Sequence, residues 1–517
     1  MNGAQALIRT LVDAGVDTCF MNPGTSEMHF VAALDEVPEM HAVLALFEGV
    51  ATGAADGYAR MAGRPAAVLL HLGPGLGNGL ANLHNARRGY TPIVNIVGDH
   101  ATYHAQYDAP LQSDIESIAR GVSGWIRSAD STATLQSDAA DAVAASFGPP
   151  GQVATLILPA DVCWLESDGP VPPATVTTPP RVEQSTLEQI LQVLKSGEPT
   201  AILLAGSSLM EPGLVAASRI SETAQVRLIA ETFPPRLQRG AGLPALDRLM
   251  YLAEFAQMQL DGLKHLILVG AASPVSFFAY PEIASDLVPQ GCTVHVLAQP
   301  GDDSTGALEE LAAMLGAPAD AAVLAAPSRP EKPSGVLSAE SFAAAIGALL
   351  PEDVIVVDEG NTAGLFVAGF TAGAPRHDWL CLPGGAIGFG MPVATGAAVA
   401  SPGRKVLNLQ ADGSAMYTFQ ALWTQVREGL DVITVILNNQ SYAILNLELS
   451  RVGAHPGPKA LEMLDLTNPR LDFVALAQGL GVAATRATTA EEFYDQLEVA
   501  FATPGPHLIE AILPPTL

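Results

Sequence analysis

The stretch KVLNLQADGSAMYTFQALWTQVREGLDVITVILNNQS, residues 405–441, decides how the chain is read. Two apolar runs, KVLNLQADG (405–413) and VITVILNN (432–439), have the length of buried strands. Between them, the spacing of AMYTFQALWTQVREGLD predicts one helix. The result is a strand–helix–strand unit whose polar ends lie at one sheet edge, where Asp412 and Asn439 converge. A carboxylate, an amide oxygen and nearby main-chain carbonyls suit hard Mg²⁺, which completes its shell with phosphate oxygens. The amides of Gly413 and Ser414, opening the helix, are placed to receive a diphosphate. The plain alternative is that Asp412 caps a helix and Asn438-Asn439 make a turn.

The same alternation extends along the chain. AVLLHL (67–72), PIVNIVG (92–98), AILLAG (201–206), HLILVG (265–270) and VIVVDEG (354–360) are further strand-length runs, separated by longer Ala-rich helical stretches. This pattern predicts an α/β protein of three doubly wound parallel-sheet domains, and 517 residues fit that number at roughly 100–200 residues per domain. The Pro-rich segments 169–180 and 326–335 read as linkers, giving domains at 1–168, 181–325 and 336–517.

With 49% hydrophobic and 15% charged residues, the composition excludes a disordered chain and points to a large interior or extensive subunit contacts. A net charge of −28 would repel phosphate backbones and anionic membrane surfaces, so no nucleic-acid or membrane partner is expected. Cys19, Cys163, Cys292 and Cys381 lie far apart without a CxxC pair and are expected to be buried thiols. The opening MNGAQALIRTLVDAG lacks an uninterrupted apolar core, and later apolar runs are too short or too broken to span a membrane. A soluble cytoplasmic protein is the expectation.

Ala411-Asp412-Gly413-Ser414 through Asn438-Asn439 resembles the thiamine-diphosphate-binding motif of the acetolactate synthase, pyruvate decarboxylase and benzoylformate decarboxylase superfamily, with Ala411 where that motif begins in Gly. The resemblance implies three domains: pyrimidine-binding, central and diphosphate-binding. It also implies Asp412, Asn439 and the main-chain carbonyl of Ser441 as Mg²⁺ ligands, with Tyr442 beside the cofactor. Gly384-Gly385-Ala386-Ile387-Gly388-Phe389-Gly390 resembles the family's Gly-rich turn. In that arrangement Ile387 wedges the aminopyrimidine over the thiazolium, and the Gly385 carbonyl accepts from the 4′-amino group. A helix start packed on a strand would need the same glycines. Glu359, Asn361 and Thr362 align with a loop near the diphosphate.

LALFEGVATGAADGYAR (44–60) supplies the complementary half. Glu48 lies between an apolar strand and a small-residue helix, where poor solvation raises a carboxyl pKa and favours proton transfer. The resemblance assigns it to the pyrimidine N1′, where it promotes loss of the thiazolium C2 proton; a helix cap or buried ion pair is the plain alternative. Asn22-Pro23-Gly24-Thr25-Ser26-Glu27 resembles the motif beside the pyrimidine, with Pro23 in contact and Thr25 contributing a hydroxyl. His71, in His71-Leu72-Gly73-Pro74-Gly75, matches a histidine able to relay protons or bind a substrate carboxylate.

Leu111 and Gln112 match residues facing the thiazolium, while His100 and His104 have no assigned role. Asp99 stands where synthases carry glutamine, and Phe277, Phe278 and Ala279 are found where benzoylformate decarboxylases carry a second histidine. Ile444 and Leu445 would form an apolar wall of the substrate pocket. The activity so implied is thiamine-diphosphate- and Mg²⁺-dependent decarboxylation of a 2-oxo acid with carboligation to a second carbonyl, as in acetolactate synthase. The alternative is a benzoylformate-type decarboxylase or aldehyde lyase without carboligation. A pyruvate-oxidase-type oxidoreductase would need FAD in the central domain, and 181–325 shows no flavin fingerprint, so FAD is not expected. Because Glu48 and Asp412 lie in different domains and relatives assemble the site between subunits, a homodimer or homotetramer is implied.

Overall fold

Three sheets follow one another along the computed structural model, which describes residues 1–514. The first contains β1 (Thr18–Met21), β2 (His41–Leu44), β3 (Ala66–Leu70), β4 (Ile93–Asp99), β5 (Trp125–Ser128) and β6 (Val153–Pro159). Their order is β2-β1-β3-β4-β6-β5, and every pair is parallel. Next come β7 (Thr200–Leu204), β8 (Arg227–Ala230), β9 (Leu237–Arg239), β10 (Asp247–Arg248), β11 (His265–Val269) and β12 (Thr293–Ala298). All but β9 form a parallel sheet of order β10-β8-β7-β11-β12. The third sheet contains β13 (Ile355–Glu359), β14 (His377–Leu380), β15 (Val406–Ala411), β16 (Val432–Asn438), β17 (Ala483–Ala487) and β18 (His507–Ile512), in the order β17-β18-β16-β15-β13-β14-β9.

Each apolar run noted in the sequence becomes a parallel strand. β3 and β6 are buried along their whole length because helices cover both faces, which is why they read as continuous apolar runs rather than alternations. Residues 169–180 carry no helix or strand.

Three features depart from the expectations. β9 leaves the central segment and pairs antiparallel with β14, so the third sheet is not wholly parallel and its β14 edge is covered from another part of the chain. The helix expected between β15 and β16 is two helices broken at Phe419-Gln420. Finally, Cys292 is only partly covered, whereas the other three cysteines are buried.

Helix α1 (Glu48–Ala62) follows β2, α2 (Leu72–Arg88) follows β3, and α3 (Gly390–Ala400) precedes β15. α1 and α3 pack almost backbone to backbone. A Cβ on Gly57 would fall inside the Val393 carbonyl, and one on Gly396 inside the Ala54 carbonyl, so these glycines permit the close approach of the N- and C-terminal domains. Beside this contact, Arg60 pairs with Asp56 at 2.6 and 2.7 Å and donates to the carbonyl of Cys381 at 2.8 Å. The buried ion pair thereby has partners on both sides of the domain contact.

The two helices between β15 and β16 are α4 (Asp412–Thr418) and α5 (Ala421–Arg427). The Thr418 hydroxyl at the end of α4 donates to the Gly388 carbonyl at 3.0 Å, while Phe419, just beyond it, buries its ring beside Phe473. These two anchors lie where the helix breaks. Among the described residues, no helix is long and apolar enough to cross a membrane.

Candidate active site

β15 and β16 run parallel, so Asp412 and Asn439 leave the same edge of the third sheet. The Gln440 amide donates to Asp412 Oδ2 at 2.7 Å and ties the two ends together. Asp412 Oδ1 accepts from the Gly413 amide at 2.8 Å, and Asn439 Oδ1 accepts from the Ser441 amide at 3.1 Å. Asp412 and Asn439 are buried, and desolvation pushes the Asp412 carboxyl up to about 6.

A dry carboxylate beside an amide oxygen and main-chain carbonyls fits a small hard dication. Among the described residues there is no group of three or more His, Cys, Asp or Glu that could form a closed cage, so phosphate oxygens or water would have to complete the coordination. The residues therefore fit a magnesium diphosphate. The Gly413 amide already serves Asp412, and the Ser414 hydroxyl is occupied by Gln410 at 2.6 Å and the Ala411 carbonyl at 3.1 Å. A Cβ on Gly413 would run into the Tyr442 ring, which lies against the start of α4.

The Gly-rich turn 384–388 stands beside this edge. Gly385 (φ +73°) and Gly388 (φ +88°) occupy the left-handed region, and a Cβ on Gly385 would come within 2.6 Å of Phe277 Cζ. The central segment thus places an aromatic ring against the turn. Gly385 is exposed and Ile387 partly so.

Glu359, aligned by resemblance with the loop near the diphosphate, is buried and holds this turn. It accepts from the amides of Gly388, Phe389 and Gly390 at 2.7, 3.0 and 2.6 Å, and from Gln410 at 2.9 Å. Burial pushes its carboxyl above the ordinary range, while these four donors favour the ionised form. Asn361 (φ +47°) is exposed and Thr362 partly buried in the loop that follows.

In the first sheet, β1, β3 and β4 bring Thr25, His71 and Gly98-Asp99-His100 to one edge. Glu48 opens α1, is half-buried rather than dry, and accepts from Asn78 at 3.0 Å. Thr25 is exposed at the start of a 3₁₀ turn, with Pro23 two residues before it. His71 Nδ1 lies 2.9 Å from Glu27 Oε2, which also accepts from the Gly24 amide at 2.7 Å.

Glu27 closes the Asn22–Glu27 motif, and no local pattern in the sequence assigns it a role. Its side chain is fully buried, Oε1 has no hydrogen-bond partner, and a Cβ on Gly98 would collide with that oxygen. Burial raises its carboxyl pKa, opposed by the neighbouring His71. A carboxylate this close to a histidine fixes the ring and its tautomer. The only signal in the sequence was an acid closing a turn motif, and its neighbour His71 is remote along the chain.

Leu111 is 38% exposed, and Gln112 Oε1 is buried without a partner. The rings of His100 and His104 lie 5.3 Å apart between centroids, tilted by 58°. Helix α6 (Ala443–Arg451) follows the Asn439-Ser441 segment and presents Ile444 partly buried and Leu445 43% exposed. Leu111 and Leu445 are open in the single chain.

Residues 1–119 match the family described as thiamine pyrophosphate enzyme, N-terminal TPP binding domain, and residues 358–511 match its C-terminal TPP binding domain. A Mycobacterium tuberculosis protein with the provisional name acetolactate synthase large subunit IlvX is 61% identical over 518 residues, covering 99% of both chains. Benzoylformate decarboxylase of Pseudomonas aeruginosa is 30% identical over 528 residues, covering 96% of both. In fold, the chain resembles the thiamine diphosphate-dependent 4-hydroxybenzoylformate decarboxylase of Rhodococcus jostii, with TM-score 0.86, 23% identity and 99% coverage of both chains.

Proposed function

The chain belongs to the thiamine pyrophosphate enzyme family, and from that premise we propose that it decarboxylates a 2-oxo acid with thiamine diphosphate and Mg²⁺ and ends the cycle by protonation through His71. When bound, thiamine diphosphate supplies the electron sink for loss of CO₂. Asp412, Asn439 and the Ser441 carbonyl would hold the metal and, with the Ser414 amide and the loop at Asn361-Thr362, the diphosphate end. Ile387 and the Gly385 carbonyl would orient the pyrimidine, with Pro23 and Tyr442 beside the cofactor. Glu48 holds a proton at N1′.

His71, oriented by Glu27, carries the proton that completes turnover, and Thr25 assists it with a hydroxyl. Leu111, Gln112, Ile444 and Leu445 wall the substrate. The half-open setting of Glu48 in one chain supports a site shared between two copies, one bringing Glu48 and the other Asp412.

The observation that carries the protonating ending is the 2.9 Å pair of His71 with the fully buried Glu27. An acid–base group held in this way favours proton delivery over capture by a second carbonyl. Carboligation is the second reading, favoured by the 61% identical relative named as a synthase subunit. Product analysis by NMR after incubation with Mg²⁺, thiamine diphosphate and either benzoylformate or pyruvate separates them. Benzaldehyde from the first supports protonation. Acetolactate from the second establishes carboligation and overturns the preferred ending.

A further inference from the structure

Helix α2 carries His84 and Asn85 against the Gly-rich turn. His84 Nε2 lies 3.1 Å from the Gly384 carbonyl, and Asn85 Nδ2 donates to the Ala386 carbonyl at 2.8 Å. Asn85 Oδ1 accepts from the Ala386 amide at 3.2 Å, so this side chain reads both polar groups of one residue. The approach is close: a Cβ on Gly384 would sit 2.5 Å from Asn85 Oδ1 and 2.9 Å from its Cα.

One helical turn earlier, Asn82 Nδ2 donates to the Gly49 carbonyl at 2.8 Å and to the Gly388 carbonyl at 3.3 Å. Asn82 Oδ1 in turn receives Asn85 Nδ2 at 3.0 Å. Asn82 and Asn85 are buried, so these bonds are shielded from competing water.

The direction of the Gly385 carbonyl follows from peptide geometry. The Ala386 N–H and the Gly385 C=O belong to one planar trans unit and point in opposite directions. With the Ala386 N–H held on Asn85, and the Gly384 and Ala386 carbonyls drawn toward α2, the intervening Gly385 carbonyl is turned away from the helix. Among the described residues, no amide or side chain donates to it. We propose that Asn85 is a positioning residue that aims the Gly385 carbonyl at the 4′-amino group of the bound cofactor, with Asn82 bracing it. This rests on the cofactor reading above and extends it to a residue of the N-terminal domain that the sequence motifs did not mark.

The test uses the full-length protein freed of cofactor and supplied with Mg²⁺. Calorimetric titration compares thiamine diphosphate with its 4′-oxo analogue, which replaces the amino donor by an acceptor. Wild type should favour the amino form by about tenfold or more, because an aimed carbonyl gains one hydrogen bond and opposes the other ligand's oxygen. In Asn85→Ala the preference should fall to about twofold or less, while binding of inorganic pyrophosphate with Mg²⁺ stays within about twofold of wild type. A merely structural role would weaken both thiamine ligands together and leave their ratio unchanged. Asn85→Leu, close to asparagine in shape, serves if the alanine variant fails to fold. An unchanged preference in the variant, or no preference in wild type, overturns the positioning role alone. Failure of wild type to bind either thiamine ligand overturns the cofactor reading, and the positioning role with it.

Discussion

Glu359→Gln tests what holds the Gly-rich turn. The native carboxylate has two acceptor oxygens for four donors: Oε1 takes Gly388, and Oε2 takes Phe389, Gly390 and Gln410. Glutamine offers one oxygen, which best replaces Oε2, leaving its amino group facing the Gly388 amide donor to donor. One buried amide then loses its acceptor at a cost of about 1–3 kcal/mol, and the other three bonds lose charge assistance worth about 1 kcal/mol each. Relief from burying a charge offsets part of this, leaving a destabilisation of about 2–4 kcal/mol. Urea unfolding followed by intrinsic tryptophan fluorescence reads the loss as an earlier midpoint at unchanged slope. If the distortion is instead confined to the turn, thiamine diphosphate affinity falls by about 30-fold or more. A variant equal to wild type in both measurements would refute Glu359 as the anchor of the turn.

Glu27→Gln keeps the size of the side chain but removes the charge opposite His71, so kcat on a decarboxylated 2-oxo acid should fall about 10- to 100-fold, the worth of one charged hydrogen bond, in steady-state assays. Gly98→Ala pushes a methyl group against Glu27 Oε1 and should reproduce part of that loss with little change in Mg²⁺ affinity, as calorimetry will show. The Asp412 carboxyl stands at about 6 without a cation, above the ordinary aspartate value, so the folded apoprotein binds the extra proton and its stability falls as pH rises toward 6. Mg²⁺ requires the ionised form, so its affinity should be level above pH 6 and drop about tenfold per pH unit well below it, as titrations between pH 5 and 8 would measure.

The sheet-forming runs were legible because strands buried on both faces leave continuous apolar segments, as in Val153–Pro159 and Val432–Asn438. β9 was not legible. Leu237–Arg239 is three residues long, and its partner β14 lies far along the chain, so no local pattern announces it. Asp412 and Asn439 could be paired because they end consecutive strands of one unit. Glu27 with His71, Glu359 with the 388–390 amides, and Asn85 with Ala386 are contacts between distant segments, and a single sequence gives no measure of which remote polar groups meet. The break at Phe419-Gln420 was hidden for the same reason: the anchors that bend the helix away, Gly388 and Phe473, lie outside it.

The most direct test of the central claim is release of ¹³CO₂ from [1-¹³C]-benzoylformate and [1-¹³C]-pyruvate by protein stripped with chelator and then reconstituted. The account predicts no release from stripped protein, release restored only by thiamine diphosphate together with Mg²⁺, and its loss in reconstituted Glu48→Gln. Release that needs neither addition, or that survives intact in Glu48→Gln, would contradict it.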